Sequence, residues 1–208
     1  MADVPFLFDI DGTLIDTRLV VADAWRDVAA RFGADANAIL LTCHGRRDED
    51  VVAEFFPRHV RAAVVDRIAA VEQDRAAEVS AMAGARQLLA SLPQGTWAAV
   101  TSGSRRLMTA RLRGAGLPVP EVLITADDVR FGKPHPEGYL AAAALLGAEI
   151  ERSVVVEDSP AGVAAGRAAG AFVVGLTTNP SVLPEANVVV SSLAHVVDMV
   201  QSQRPAGS

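Results

Sequence analysis

The chain has 208 residues, 50% of them hydrophobic and 21% charged, which supports one packed domain with a smaller insert and excludes a disordered tail. A net charge of −6 and an aromatic content of 5% count against a nucleic-acid-coating surface or a base-stacking module. Cys43 is the single cysteine, so an intrachain disulfide, a cysteine-cluster zinc site and an iron–sulfur cluster are excluded, and a reducing cytoplasm is the expected setting.

Residues 5–8 form a short apolar run that stops at Asp9-Ile10-Asp11-Gly12-Thr13, the pattern of a buried strand entering a glycine turn. Residues 1–8 carry no basic export segment, and no apolar run approaches the roughly 20 residues of a membrane span. From residue 18 to about 80 the apolar positions recur at helical spacing: Val20, Ala24, Val28, Phe32; Val51, Val52, Phe55; Val64, Val65, Ile68, Val71. This predicts an all-helical insert, closed by Met82-Ala83-Gly84. Strands and helices then alternate. Strands are predicted over 96–100, 121–124, 153–156, 172–176 and 188–190, and helices over 85–92, 105–113, 137–146 and 161–169. Such alternation builds βαβ units and a parallel sheet. The glycines at 162, 166 and 170 are read as tight packing of a helix on the sheet, and His59 and His195 as surface or half-buried residues.

Polar residues collect just past the strand ends: Asp9 and Asp11, Thr101 and Ser102, Glu157 and Asp158. In an open parallel sheet the ligand crevice lies at that edge. One such residue is a strand-end cap; several together define a site. Lys133 joins them after a short loop, and it is the only lysine among 19 basic side chains. A chain that otherwise uses arginine places a compact ammonium where a planar fork does not fit. The four carboxylates repel one another unless a cation sits among them, and an all-oxygen donor set suits Mg²⁺. Lysine and hydroxyls beside such a site suit a phosphoryl group. No P-loop, dinucleotide fingerprint or serine-hydrolase elbow occurs, which leaves a carboxylate as the candidate nucleophile.

The motifs Phe8-Asp9-Ile10-Asp11-Gly12-Thr13-Leu14, Thr101-Ser102-Gly103, Gly132-Lys133-Pro134 and Glu157-Asp158-Ser159-Pro160-Ala161-Gly162 resemble, in order, the four motifs of the haloacid dehalogenase (HAD) superfamily. The helical insert is similar to the cap of its β-phosphoglucomutase-like group. His44-Gly45-Arg46-Arg47 and the stretch 132–147 resemble small sugar phosphatases and glycerol-3-phosphatases. The resemblance implies an α/β fold: a Rossmann-like parallel sheet flanked by helices, core residues 1–16 and 84–208, with a helical cap at 17–83 inserted after the first strand. It implies Asp9 as nucleophile and Mg²⁺ ligand. Asp11 is implied as acid and then base, its backbone carbonyl also reaching the metal. Thr101, Ser102 and Lys133 are implied to bind phosphate, and Asp158 to bind the metal, with Glu157 direct or through water. Arg47 and His44 are implied to read the substrate from the cap.

The expected activity is a Mg²⁺-dependent phosphatase acting on a small phosphorylated sugar or polyol, with no nucleic-acid or membrane partner. A phosphomutase is the nearest alternative, but its relatives carry a cap histidine where this chain has Val21. A phosphonate hydrolase needs a cap lysine, and a dehalogenase lacks the second aspartate of the first motif; neither fits. A phospho-acceptor signalling domain also uses Asp, Thr and Lys around Mg²⁺. It places the accepting aspartate after the third strand, whereas here the Asp-x-Asp follows the first.

Overall fold

The structure is a computed structural model, and it describes residues 4–202. Its centre is a parallel sheet of six strands: β1 (Phe6–Phe8), β4 (Trp97–Val100), β5 (Leu123–Ile124), β6 (Val154–Glu157), β7 (Phe172–Leu176) and β8 (Val188–Val190). The spatial order is β5-β4-β1-β6-β7-β8. After β1 the chain builds outward on one side through β4 and β5, then returns to β1's other edge with β6. That reversal puts the ends of β4, β1 and β6 side by side, where an open parallel sheet forms its crevice. Phe8 is level with Ala99 on one neighbour and Val156 on the other, so Asp9, Val100 and Glu157 emerge at the same height.

Period-two alternation splits the sheet residues between two apolar layers. Phe6 and Phe8 face the layer shared with α5 (Ala85–Ser91), α6 (Arg105–Gly114) and α9 (Leu193–Ser202). Leu7, Ala98 and Val155 face α7 (Glu137–Leu145) and α8 (Pro160–Ala169). Gly166 presses α8 against the sheet, since a Cβ there would fall 2.9 Å from Val173 and 3.0 Å from Val155. The expected packing role of that glycine therefore holds. Gly170 instead caps the helix in the left-handed region, and Gly162 serves the site.

Helices α1 (Arg18–Phe32), α2 (Ala36–Leu40), α3 (Asp48–Phe55) and α4 (Arg61–Asp74) form a separate layer over the sheet edge. They have their own core of Trp25, Val28, Ile39, Cys43, Val51, Val52, Phe56, Val64 and Ile68. Burial of this kind contributes roughly 1.5–3 kcal/mol per large side chain. The helical periodicity anticipated this layer. It did not anticipate the short antiparallel ribbon of β2 (Ile15–Asp16) and β3 (Ser80–Ala81) through which the chain enters and leaves it. Strand β5 is also shorter than the expected 121–124, although the Val122 carbonyl still accepts from the Ala99 N–H at 3.0 Å. Among the described residues, no helix is long and apolar enough to cross a membrane.

Candidate active site

The site is assembled from turns that follow three neighbouring strands. After β1, the Asp9 backbone N–H is still held by the Val156 carbonyl at 3.0 Å, and the Asp9 side chain is buried. Gly12, at φ 88°, turns the chain back. A side chain there would collide with the Asp158 carboxylate, so glycine is needed for both the backbone conformation and the close approach. After β6, Ser159 caps α8 by accepting from the Gly162 N–H at 3.1 Å, with Pro160 opening the helix. Gly162 lets this turn close over Glu157, whose carboxylate would meet any Cβ placed there.

Lys133 links the two turns. Its Nζ donates to Asp9 Oδ1 at 2.6 Å, to Glu157 Oε1 at 2.6 Å and to the Val100 carbonyl at 3.1 Å. Three protons meet three acceptors, and the lysine is buried. Glu157 is more heavily engaged. Tyr139 Oη donates to Oε1 at 2.7 Å, and the Asp158 N–H and Ser159 Oγ each donate to Oε2 at 3.1 Å. Among the described residues, Asp158 receives only Thr13 Oγ1 at 3.5 Å. Ligand oxygens of Asp9, Glu157 and Asp158 lie within 4.8 Å of one another.

The electrostatics follow from this crowding. Burial pushes the Asp9 carboxyl well above its ordinary value; Lys133 opposes the shift, and Glu157 and Asp158 add to it. Burial and the neighbouring Glu157 raise Asp158 to about 7. Burial works against the Lys133 ammonium, but Asp9 and Glu157 outweigh it and raise its pKa. One buried lysine thus faces three buried or half-buried carboxylates. An all-oxygen set carrying excess negative charge fits a divalent cation.

Cap residues 44–47 lie on these turns. Ser102 Oγ donates to the Gly45 carbonyl at 2.8 Å, and Gly45 packs so closely on Ser159 that a Cβ would collide. Arg47 grips Asp50 with Nε and Nη2 at 2.9 and 3.1 Å, donates to the Arg130 carbonyl at 3.1 Å and lies over Gly132. The cap loop therefore touches the second, third and fourth motifs together. His44 is exposed and makes no hydrogen bond or ion pair with the described residues. The space above Thr101, Lys133 and Tyr139 is about 10 Å³, room for about one water. A larger cleft of about 420 Å³ opens between cap and core, lined among others by Asp48, Glu72, Ser102, Ser104 and Arg106.

The structure thus brings Asp9, Thr101, Lys133, Glu157 and Asp158 together, with Ser102 and Arg47 at the cap contact and His44 outside it. His135 packs on Phe131 with ring centroids 4.8 Å apart and planes tilted by 40°, and accepts from the Glu137 N–H at 3.3 Å, which serves the loop. Arg105 pairs with Asp128 at 2.6 Å. Sequence reasoning missed Tyr139, which supports Glu157, although it is the chain's only tyrosine and follows the lysine motif closely. It also missed Arg111. This arginine sits on the buried face of α6 with Leu107, Met108 and Leu112, and donates to both carboxylate oxygens of Asp11 at 3.1 Å. The available signal was an arginine interrupting an apolar stripe.

A sheet-edge carboxylate cluster with a buried lysine under a helical cap defines a class of α/β hydrolases, and the family comparison agrees. The family model described as haloacid dehalogenase-like hydrolase matches residues 6–170. Hexitol phosphatase A of Escherichia coli (strain K12) is 38% identical over 207 residues, covering 97% of this chain and 95% of its own. Glycerol-1-phosphate phosphohydrolase 2 of Saccharomyces cerevisiae is 38% identical over 188 residues, covering 83% and 74%. The crystal structure of a hydrolase from Pseudomonas syringae superposes with a TM-score of 0.88 at 24% identity, covering 98% of this chain and 100% of that one, a likeness of fold. The chain belongs to the haloacid dehalogenase-like hydrolases. Within that family it is a phosphoric monoester hydrolase.

Proposed function

We propose that the protein is a Mg²⁺-dependent phosphatase that hydrolyses a small sugar or polyol phosphate through an aspartyl-phosphate on Asp9. The observation that carries this reading is the buried Asp9, hydrogen-bonded to Lys133 at 2.6 Å on one oxygen, beside the Glu157 and Asp158 carboxylates. The second Asp9 oxygen accepts no hydrogen bond among the described residues and is the nucleophile. Relatives named for hexitol and glycerol phosphates support the substrate class.

Asp9, Asp158 and the Asp11 backbone carbonyl would hold Mg²⁺, with Glu157, already satisfied by its protein donors, bounding the pocket behind them. A bound Mg²⁺ neutralises phosphate charge and fixes the in-line geometry. The Thr101 hydroxyl and the Ser102 backbone N–H would bind the phosphoryl oxygens; the Thr101 and Gly103 N–H groups are already given to the Ile124 carbonyl and to Thr101 Oγ1. Lys133 fixes the orientation of Asp9 and balances the charge behind the transferring group.

Asp9 forms a bond to phosphorus as the bond to the substrate's bridging oxygen breaks. Asp11 gives its proton to that oxygen and the alcohol leaves. Asp11 then takes a proton from water, whose oxygen attacks phosphorus and breaks the Asp9–phosphorus bond. Inorganic phosphate is released, and both aspartates return to their starting states.

The test is phosphate release from a panel of hexitol, glycerol and hexose phosphates, with Mg²⁺ and with a chelator. Multiple turnovers on a polyol or sugar phosphate, abolished by the chelator, are expected. Two results would overturn the reading: one phosphoryl group retained per chain without release, as in a signalling receiver, or isomer interconversion without free phosphate, as in a mutase.

A further inference from the structure

Arg111 is 1% exposed, yet its guanidinium is poorly satisfied for its fold. Nη1 donates to both oxygens of Asp11. Nε and Nη2 are buried without a hydrogen-bond acceptor among the described residues; Nη2 makes an ion pair with Glu72 Oε1 at 3.5 Å. Glu72 is itself buried and comes from cap helix α4, whereas Arg111 comes from core helix α6. One guanidinium thus spans the cap–core boundary between a cap carboxylate and the Asp11 carboxylate. No other hydrogen bond reaches the Asp11 side chain among the described residues.

Stability does not account for this residue. Burying a guanidinium with two nitrogens lacking a hydrogen bond costs about 1–3 kcal/mol per unmet group. Apolar side chains in place of both Arg111 and Glu72 would continue the Leu107, Met108, Leu112 stripe without that penalty. Buried polar groups left unsatisfied in a folded protein call for a functional explanation. Here the one full interaction Arg111 makes is with the side chain assigned to proton transfer.

We propose that Arg111 is a positioning residue for Asp11, and that Glu72 joins it only when the cap is shut, so that closing the cap sets the acid–base carboxylate in place. This rests on the reading of Asp11 given under the proposed function. Nη1 of Arg111 bridges both Asp11 oxygens and so holds the carboxylate toward α6, and Glu72 pairs with Nη2 of the same guanidinium. With the cap open, Glu72 withdraws, and Asp11 is held by a guanidinium that is no longer anchored. Proton transfer then waits for closure.

The two chemical steps separate this role from a structural one. A polyol leaving group needs a proton from Asp11, whereas p-nitrophenolate leaves without one. The second step needs Asp11 as base for every substrate. In Arg111→Met, kcat on the best polyol phosphate should fall on the order of 10²-fold, with KM within about threefold of wild type. With p-nitrophenyl phosphate, rapid mixing should show a burst of one p-nitrophenol per enzyme followed by slow turnover. Arg111→Lys should recover part of the loss. Glu72→Gln, which keeps the shape of the cap contact, should show the same burst with a smaller, several-fold loss. It provides the reading if Arg111→Met does not fold.

The proposal is overturned if kcat of these variants stays within about threefold of wild type. It is also overturned if KM rises while kcat holds, or if burst and steady state fall together. Absence of turnover by the wild-type enzyme overturns the phosphatase reading itself, and this inference with it. Wild-type turnover with unaffected variants overturns this inference alone.

Discussion

Lys133 and Asp9 are 124 positions apart in the chain and meet at 2.6 Å in a buried contact. The same ammonium reaches Glu157 at 2.6 Å, so a single positive charge is shared by carboxylates from the ends of two adjacent strands. Removing it would leave two buried anions facing each other.

Asp9→Asn should preserve the fold and abolish turnover, because an amide is neither a nucleophile nor a good Mg²⁺ ligand. Phosphate release above about 1% of wild type, a difference of roughly 2.7 kcal/mol in barrier, would remove Asp9 from the role of nucleophile. Thermal melting run alongside distinguishes lost chemistry from lost structure.

Lys133→Arg should cost roughly 10²–10³ in kcat. The three acceptors around Nζ surround a point charge, and a planar guanidinium cannot meet all three in the same volume. Activity within a few-fold of wild type, with normal melting, would show that the lone lysine is incidental.

Metal-free protein should lose stability as pH rises from about 4 to 7 and level off above that. Asp158 holds its proton in the fold up to about pH 7, whereas in the unfolded chain it ionises near its ordinary value of about 4. Between those values the folded chain binds more protons than the unfolded one, so stability declines with increasing pH. Asp9 shifts in the same direction. Mg²⁺ favours the ionised carboxylates and should restore the melting temperature at pH 8 more than at pH 6. Asp158→Asn should flatten the pH slope and weaken the Mg²⁺ response. A wild-type slope matching the variant's would exclude this origin.

Arg47→Ala should raise KM for the best polyol phosphate several-fold and leave p-nitrophenyl phosphate nearly unchanged. The side chain ties the cap loop to the Arg130 carbonyl, which bears on a substrate large enough to touch the cap. Equal losses on both substrates would place its effect on the chemical steps instead.

The sheet and its polar edge were legible because each strand is an apolar run that stops at acids or hydroxyls. Asp9, Thr101, Lys133, Glu157 and Asp158 all follow such stops. The residues that escaped are those whose meaning lies in a distant contact. Arg111 looks like one more arginine in an arginine-rich chain until α4 brings Glu72 beside it. Ser102 sits in a recognisable motif, but nothing local shows that its hydroxyl would donate to the Gly45 carbonyl. The β2–β3 ribbon is two residues long on each side, too short to carry any periodicity.

That ribbon has a consequence for how the chain can change. Because Ile15 and Asp16 pair with Ala81 and Ser80, the excursion between them starts and finishes at neighbouring points. The rest of the protein meets it as it would meet a hairpin loop, whose closure entropy grows only slowly with length. The cap can therefore be lengthened, shortened or replaced at this junction without displacing a strand of the sheet. What covers the sheet edge and what lies beneath it are separately variable, so the architecture is a cassette mounted on a fixed reactive base.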